Sequence, residues 1–132
     1  MAQDLDLEVK VVSRFVVKAK RDRYLSFVTS PRNRGKLLAD LHSATVFLKM
    51  EAFEQVIGLE EETIKQTLQR HGLSTSTCYV ISDNKSLDTQ RLPLPEALCA
   101  VVGWGLGTLL VFGDAQVVYF EGEGKNIRYI SR

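Results

Sequence analysis

Cysteine and histidine are scarce in this 132-residue chain, with two of each. Cys78 and Cys99 sit inside apolar runs (77–81 and 97–102), where a reduced cysteine behaves as a small hydrophobe, so no disulfide framework is expected. There is no Cys-x-x-Cys step, and His42 and His71 fall at the ends of separate predicted helices. That spacing argues against zinc and leaves a cation at a helix C-terminus as the simplest use of either imidazole. His42 adjoins Ser43, but adjacent residues rarely face each other and no Gly-x-Ser-x-Gly elbow is present.

Long apolar runs are missing too. The stretch 97–113 carries no charge over seventeen residues, short of the roughly 20 that a spanning helix needs. Gly103, Gly105 and Gly107 interrupt it, so it reads as two core elements joined by a turn, and no membrane association is expected. The N-terminus is acidic (Asp4, Asp6, Glu8) where a secretory signal would be basic, with no apolar run before Lys10, and a cytoplasmic location is the expectation. Internal repeats, low-complexity tracts and Pro/Ser-rich linkers are likewise lacking, which makes residues 1–132 one expected domain.

Glycine patterns that cradle phosphates fail on order and spacing. Gly103-Trp104-Gly105-Leu106-Gly107 follows a helix and precedes a strand, the reverse of a dinucleotide site, and Gly122-Glu123-Gly124-Lys125 lacks the Ser or Thr of a phosphate loop. The segment 83–88 has Lys85 where a calcium ligand belongs and no closing Glu. No cofactor and no metal are expected from these.

What is present is an ordinary globular composition, 45% apolar and 25% charged, compatible with one well-filled core. Residues 9–28 combine five valines in the first nine positions, which favours strand, with a later helical charge period. A helix is expected, with positions 9, 12, 16 and 19 on one face and Lys10, Arg14, Lys18 and Arg21 striped along another. Ser30 as N-cap and Pro31 at the first helical position predict a second helix from Pro31 to about His42, burying Leu37, Leu38 and Leu41. The stretch 45–50 is compatible with strand or helix. Glu60 to His71 predicts a helix with acids in its first turn, Ile64 and Leu68 one turn apart, and Gly72 as its stop.

From residue 76 the texture becomes β-rich. Strands are predicted at 77–81, 108–112, 117–120 and 127–130, with a short helix over 96–102 opened by Pro95. Short connections between the last three strands predict an antiparallel meander. The fold class is therefore α+β, with N-terminal helices packed on a small, mainly antiparallel C-terminal sheet.

Charge is unevenly placed. Residues 10–36 carry nine Lys or Arg against Asp22 alone, a net +8, although the whole chain is only +1. Such a density attracts polyanions. Arg32, Arg34 and Lys36 also oppose the dipole of the helix they open, at about 0.3–1 kcal/mol per exposed charge, which a bound phosphate or carboxylate would offset. The sequence thus predicts a non-enzymatic binding or regulatory module whose basic helical face, Arg14, Lys18, Arg21, Arg32, Arg34 and Lys36, engages nucleic acid or an acidic protein. An alternative is a small metal-dependent, nuclease-like phosphoryl-processing enzyme built on Asp114, Glu121, Glu123 and Lys125; another is an inhibitor or immunity-type partner of one protein. No catalytic residue is assigned under the leading reading.

Overall fold

Leu7, Val11, Val12 and Phe15 recur at helical spacing and bury one side of α1 (Leu5–Phe15), whose N-cap Asp4 accepts a 3.1 Å bond from the Leu7 amide. That packing overrides the strand preference of its valines. The computed structural model describes residues 3–56, 61–70, 77–102, 107–122 and 127–131. The helix expected across 9–28 is two helices, because the chain turns extended at Val16 and resumes as α2 (Lys18–Thr29). Val16 bridges Leu48, the Val17 amide donates to the Phe47 carbonyl at 2.8 Å and the Lys49 amide to the Phe15 carbonyl at 2.7 Å. Two consecutive β-branched residues suit that extended step.

Ser30 does open a turn, with the Asn33 and Arg34 amides donating to its carbonyl at 2.9 and 3.0 Å. Regular helix starts later than expected, however, as α3 (Arg34–Asp40), and no side chain caps it. Residues 45–50 are neither long strand nor long helix: a 3-10 segment, Leu41–Val46, ends there and a second, Met50–Ala52, begins. The strand β1 (Phe53–Gln55), α4 (Glu61–Arg70), β2 (Thr77–Ser82), β3 (Arg91–Pro93), α5 (Leu94–Val101), β4 (Thr108–Phe112), β5 (Val117–Glu121) and β6 (Arg128–Ser131) follow. Gly72 and His71 lie outside the described residues, as do Trp104 and its flanking glycines.

The fold is α+β, with a six-stranded sheet in the order β1-β6-β5-β4-β2-β3 and every pairing antiparallel. The predicted meander is β4-β5-β6. Alternate residues sort to the two faces. Tyr79, Ile81, Leu109, Val111, Val118 and Phe120 pack with the apolar sides of α1, α2 and α3, whereas Cys78, Val80, Leu110, Phe112, Tyr119 and Ile130 pack with Ile64 and Leu68 of α4 and Leu94, Leu98 and Val101 of α5. Burial on both faces explains why the strands read as continuous apolar runs. Both outer strands are three residues long and β3 ends in Pro93, features that discourage pairing with another chain.

Two consequences can be measured. A Cβ on Gly107 would lie 2.7–2.8 Å from the backbone and Cβ of Leu41, so the 3-10 segment can approach the start of β4 only over glycine. Gly107→Ala is expected to lower stability by about 1–3 kcal/mol in urea unfolding. Burial also pushes the Cys78 thiol up from about 9 to about 12, and burial reinforced by neighbouring carboxylates raises the Tyr24, Tyr79 and Tyr119 hydroxyls well above their ordinary value of about 10. Unfolded, these groups release protons at lower pH than they do in the folded chain. Their stabilising effect is complete below about pH 9 and is lost as pH rises through 9–12 and beyond, by about 1.4 kcal/mol per pH unit for each group ionised only in the unfolded chain. Melting temperature measured from pH 8 to 11.5 should fall steeply over the upper half of that range.

Candidate functional site

The six basic residues expected to form one face are divided by the break at Val16–Val17. Lys10 and Arg14, one turn apart on α1, both reach the turn between β4 and β5. Lys10 Nζ is 2.5 Å from Asp114 Oδ1, an exposed pair whose hydrogen bond raises the lysine pKa, and Arg14 Nη1 donates at 3.0 Å to the Ala115 carbonyl. Ala115 is buried at a φ of 61°, a left-handed conformation unusual for alanine, and the Arg14 contact helps to hold it.

Arg34 turns inward. Its Nε and Nη2 donate to Glu8 at 3.1 and 2.7 Å, Nη2 also donates to Asp88 Oδ1 at 3.0 Å, and Nη1 bonds Asp88 Oδ2. Glu8 is fully buried and accepts in addition from Gln3 Nε2 at 2.7 Å and from the Tyr79 hydroxyl at 2.6 Å. Asp88 accepts the Ser82 amide at 3.0 Å, and the Asp4 amide donates to the Tyr79 oxygen at 3.1 Å. Burial alone would lower the Arg34 pKa, but the bonds to Asp88 and Glu8 outweigh it and hold the guanidinium pKa above its ordinary value. The anion expected beside this first turn is, for Arg34, supplied by the chain's own carboxylates. Asp88, in the segment weighed as a calcium loop, serves this triad.

The remaining predicted residues stay near the surface on α2, the 31–33 turn and α3. Lys18, Arg32 and Lys36 are exposed, and Arg21 is half-buried, with Nη2 3.5 Å from the Val16 carbonyl at the end of α1. Sequence reasoning omitted Lys20 and Arg23 from the face. Arg23 lies over the Phe27 ring at 5.5 Å and Lys36 approaches the same ring at 5.9 Å, which brings α2 and α3 cations together. Among the described residues, none of Lys18, Lys20, Arg21, Arg23, Arg32 and Lys36 forms an ion pair with a carboxylate. Asp40, the acid on α3, accepts the Tyr24 hydroxyl at 2.7 Å.

The two described residues weighed for metal chemistry, Asp114 and Glu121, stand apart. Asp114 lies in the turn before β5 and Glu121 at the far end of that strand, and Glu123 and Lys125 lie outside the described residues. Glu121 instead accepts from Arg128 Nε at 3.0 Å and from the Tyr119 hydroxyl at 3.0 Å, all three buried. No cluster of three or more His, Cys, Asp or Glu able to hold a metal occurs among the described residues. His42 Nε2 lies 2.5 Å from Asp83 Oδ2, one residue past the end of β2.

A second polar feature escaped the sequence reading. Ser82, Thr108, Glu121 and Arg128 are cross-strand neighbours in successive registers, forming one buried polar row across β2, β4, β5 and β6 on the face that carries α4 and α5. Ser82 and Thr108 share a 2.8 Å hydroxyl bond. The available signal was a polar residue in phase with the apolar positions at the end of each strand. For Glu8 it was an acid placed among Leu7, Val11 and Val12 on the buried side of α1.

These assignments separate two kinds of arginine and lysine. Arg34→Gln leaves Glu8 buried without its cation and should cost about 3–5 kcal/mol, whereas Lys36→Gln, exposed and without a carboxylate partner among the described residues, should change stability by about 0.5 kcal/mol or less. Chemical denaturation of the two variants checks the contrast.

No family model matches this chain, and no curated protein or solved structure matches it either.

Proposed function

We propose that the chain is a non-enzymatic binding module whose α2–α3 surface engages an anionic macromolecule. One observation carries this reading: six cations, Lys18, Lys20, Arg21, Arg23, Arg32 and Lys36, occupy two helices that pack together and the turn joining them, and none meets a carboxylate among the described residues. Asp22 is the acid that stays exposed on these elements, since Asp40 is engaged by Tyr24.

Physical cost supports the same reading. Both helices begin without a side-chain cap and without an acid in the first turn, so Lys18, Lys20, Arg21 and Lys36, unlike Arg34, meet the positive end of the dipole with no carboxylate partner among the described residues. Each such charge is mildly unfavourable in the free molecule, and a polyanion laid across the surface reverses the sign of that contribution. Arg34 belongs to the triad, not the surface, and Arg14 contributes at most from the periphery.

Fluorescence anisotropy with labelled double- and single-stranded oligonucleotides and with labelled poly-glutamate, over about 50–200 mM salt, tests it. Affinity should fall log-linearly with salt, and Lys36→Gln should reduce the magnitude of the slope by about 0.9 on duplex DNA. Lack of binding to all three probes at low salt would end the proposal.

A further inference from the structure

Resting on the cationic surface just described, we propose that its partner is duplex DNA and that α2 seats in the major groove, with cations on both shoulders of the helix facing the two phosphate walls.

The wheel of α2 supplies the geometry. Tyr24, Phe27 and Val28 are its buried side. Arg23 precedes Phe27 by four residues and borders that side on one shoulder, lying over the Phe27 ring, while Lys20, seven before Phe27 and four before Tyr24, is half-buried in line with the buried side. Arg21 precedes Val28 by seven and Lys18 precedes Arg21 by three, which puts both on the opposite shoulder. Between the shoulders the outward stripe is Ala19, Asp22, Ser26 and Thr29, all exposed and all short. The Ser26 and Thr29 hydroxyls bond back to the Arg23 and Leu25 carbonyls at 2.7 and 2.9 Å, so they lie close to the helix.

A protein partner is the less favoured occupant. Stable protein interfaces centre on a desolvated aromatic or aliphatic anchor. Among the described residues the large apolar ones that stand exposed are Leu5 and Val46, and neither is on α2 or α3. Phosphate recognition needs no such anchor. Size then selects the groove: a helix of about 10–12 Å diameter fits a B-form major groove of about 12 Å, and twelve residues reach about 18 Å along it. The major groove of A-form RNA is too narrow and deep to admit the helix. Asp22 faces the groove floor, where its carboxylate is suited to a cytosine amino group.

The experiment compares the full chain with Lys18→Gln, Arg23→Gln and the double change Ala19→Leu/Ser26→Leu, binding 16-base-pair DNA, 16-base-pair RNA and the single strand in a salt titration. Circular dichroism melting confirms that each variant is folded, and Ser26→Leu alone serves if the double change is not. Expected are preference for duplex DNA over duplex RNA by at least tenfold, a slope reduced by about 0.9 for each shoulder variant on DNA, and a tenfold or greater loss on duplex DNA for the stripe variant with single-strand binding unchanged. Salt-sensitive binding that is equal on all three nucleic acids, or a stripe variant that behaves as the parent, overturns groove seating and leaves the cationic-surface reading intact. Tighter binding to poly-glutamate than to duplex DNA assigns the surface to an acidic protein and overturns the inference. Lack of binding to every polyanion removes both readings.

Discussion

The fold is held in one arrangement by a charge that the chain cannot leave unanswered. Glu8 is buried on α1, and desolvating a carboxylate costs several kcal/mol unless hydrogen bonds and an opposite charge replace the lost water. Here Arg34, Tyr79 and Gln3 supply that replacement, and Arg34 in turn brings Asp88. Four separate parts of the chain, α1, α3, β2 and the 83–90 connection, must therefore be in place together. Apolar packing alone is non-directional and tolerates sliding of helices over the sheet. A bidentate guanidinium between two carboxylates does not, because its five donors form a rigid fork.

The second buried pair, Glu121 with Arg128, works at shorter range. It crosses a single register of the β5–β6 pairing and is continued by Thr108 and Ser82. Polar residues so far inside fix strand register, since a slip of one residue would carry them to the opposite, apolar face. The two networks thus act on opposite faces of the sheet. One aligns the helical layer of α1 to α3, and the other aligns the strands beneath α4 and α5.

How much of this was legible follows from range in sequence. The strands at 77–81, 108–112 and 117–120 and the helix α4 rest on local apolar patterning, and each was readable from a dozen residues. The edge strands β1 and β3 have three residues each, too few for a period, and owe their extended form to the neighbours they pair with. The break at Val16–Val17 depends on Phe47 and Leu48, about thirty residues on. For the candidate site the same rule divides the residues. Lys18, Arg32 and Lys36 remain surface charges as composition suggested, while the fate of Arg34 depended on Glu8 and Asp88, 26 and 54 residues away. Nothing in residues 30–36 distinguishes Arg34 from Arg32 and Lys36.

That division also bears on why the α2 cations remain available. A lysine or arginine near a complementary acid on its own chain gains little from a surface pair, a median of about 0–1 kcal/mol, so selection for stability alone has no strong reason to separate them. Yet α2 and the start of α3 hold their positive charge with few acids in range, while Lys10, Arg34, Arg91 and Arg128 are each matched to a carboxylate. The matched residues join elements distant in sequence: Lys10 to the β4–β5 turn, Arg91 of β3 to the cap of α1, Arg34 across three elements. The unmatched ones make no ion pair among the described residues: Arg21 reaches the Val16 carbonyl, and Arg23 and Lys36 lie over the Phe27 ring. Under the proposal made above their shared placement serves an external partner, whereas the matched cations serve the fold.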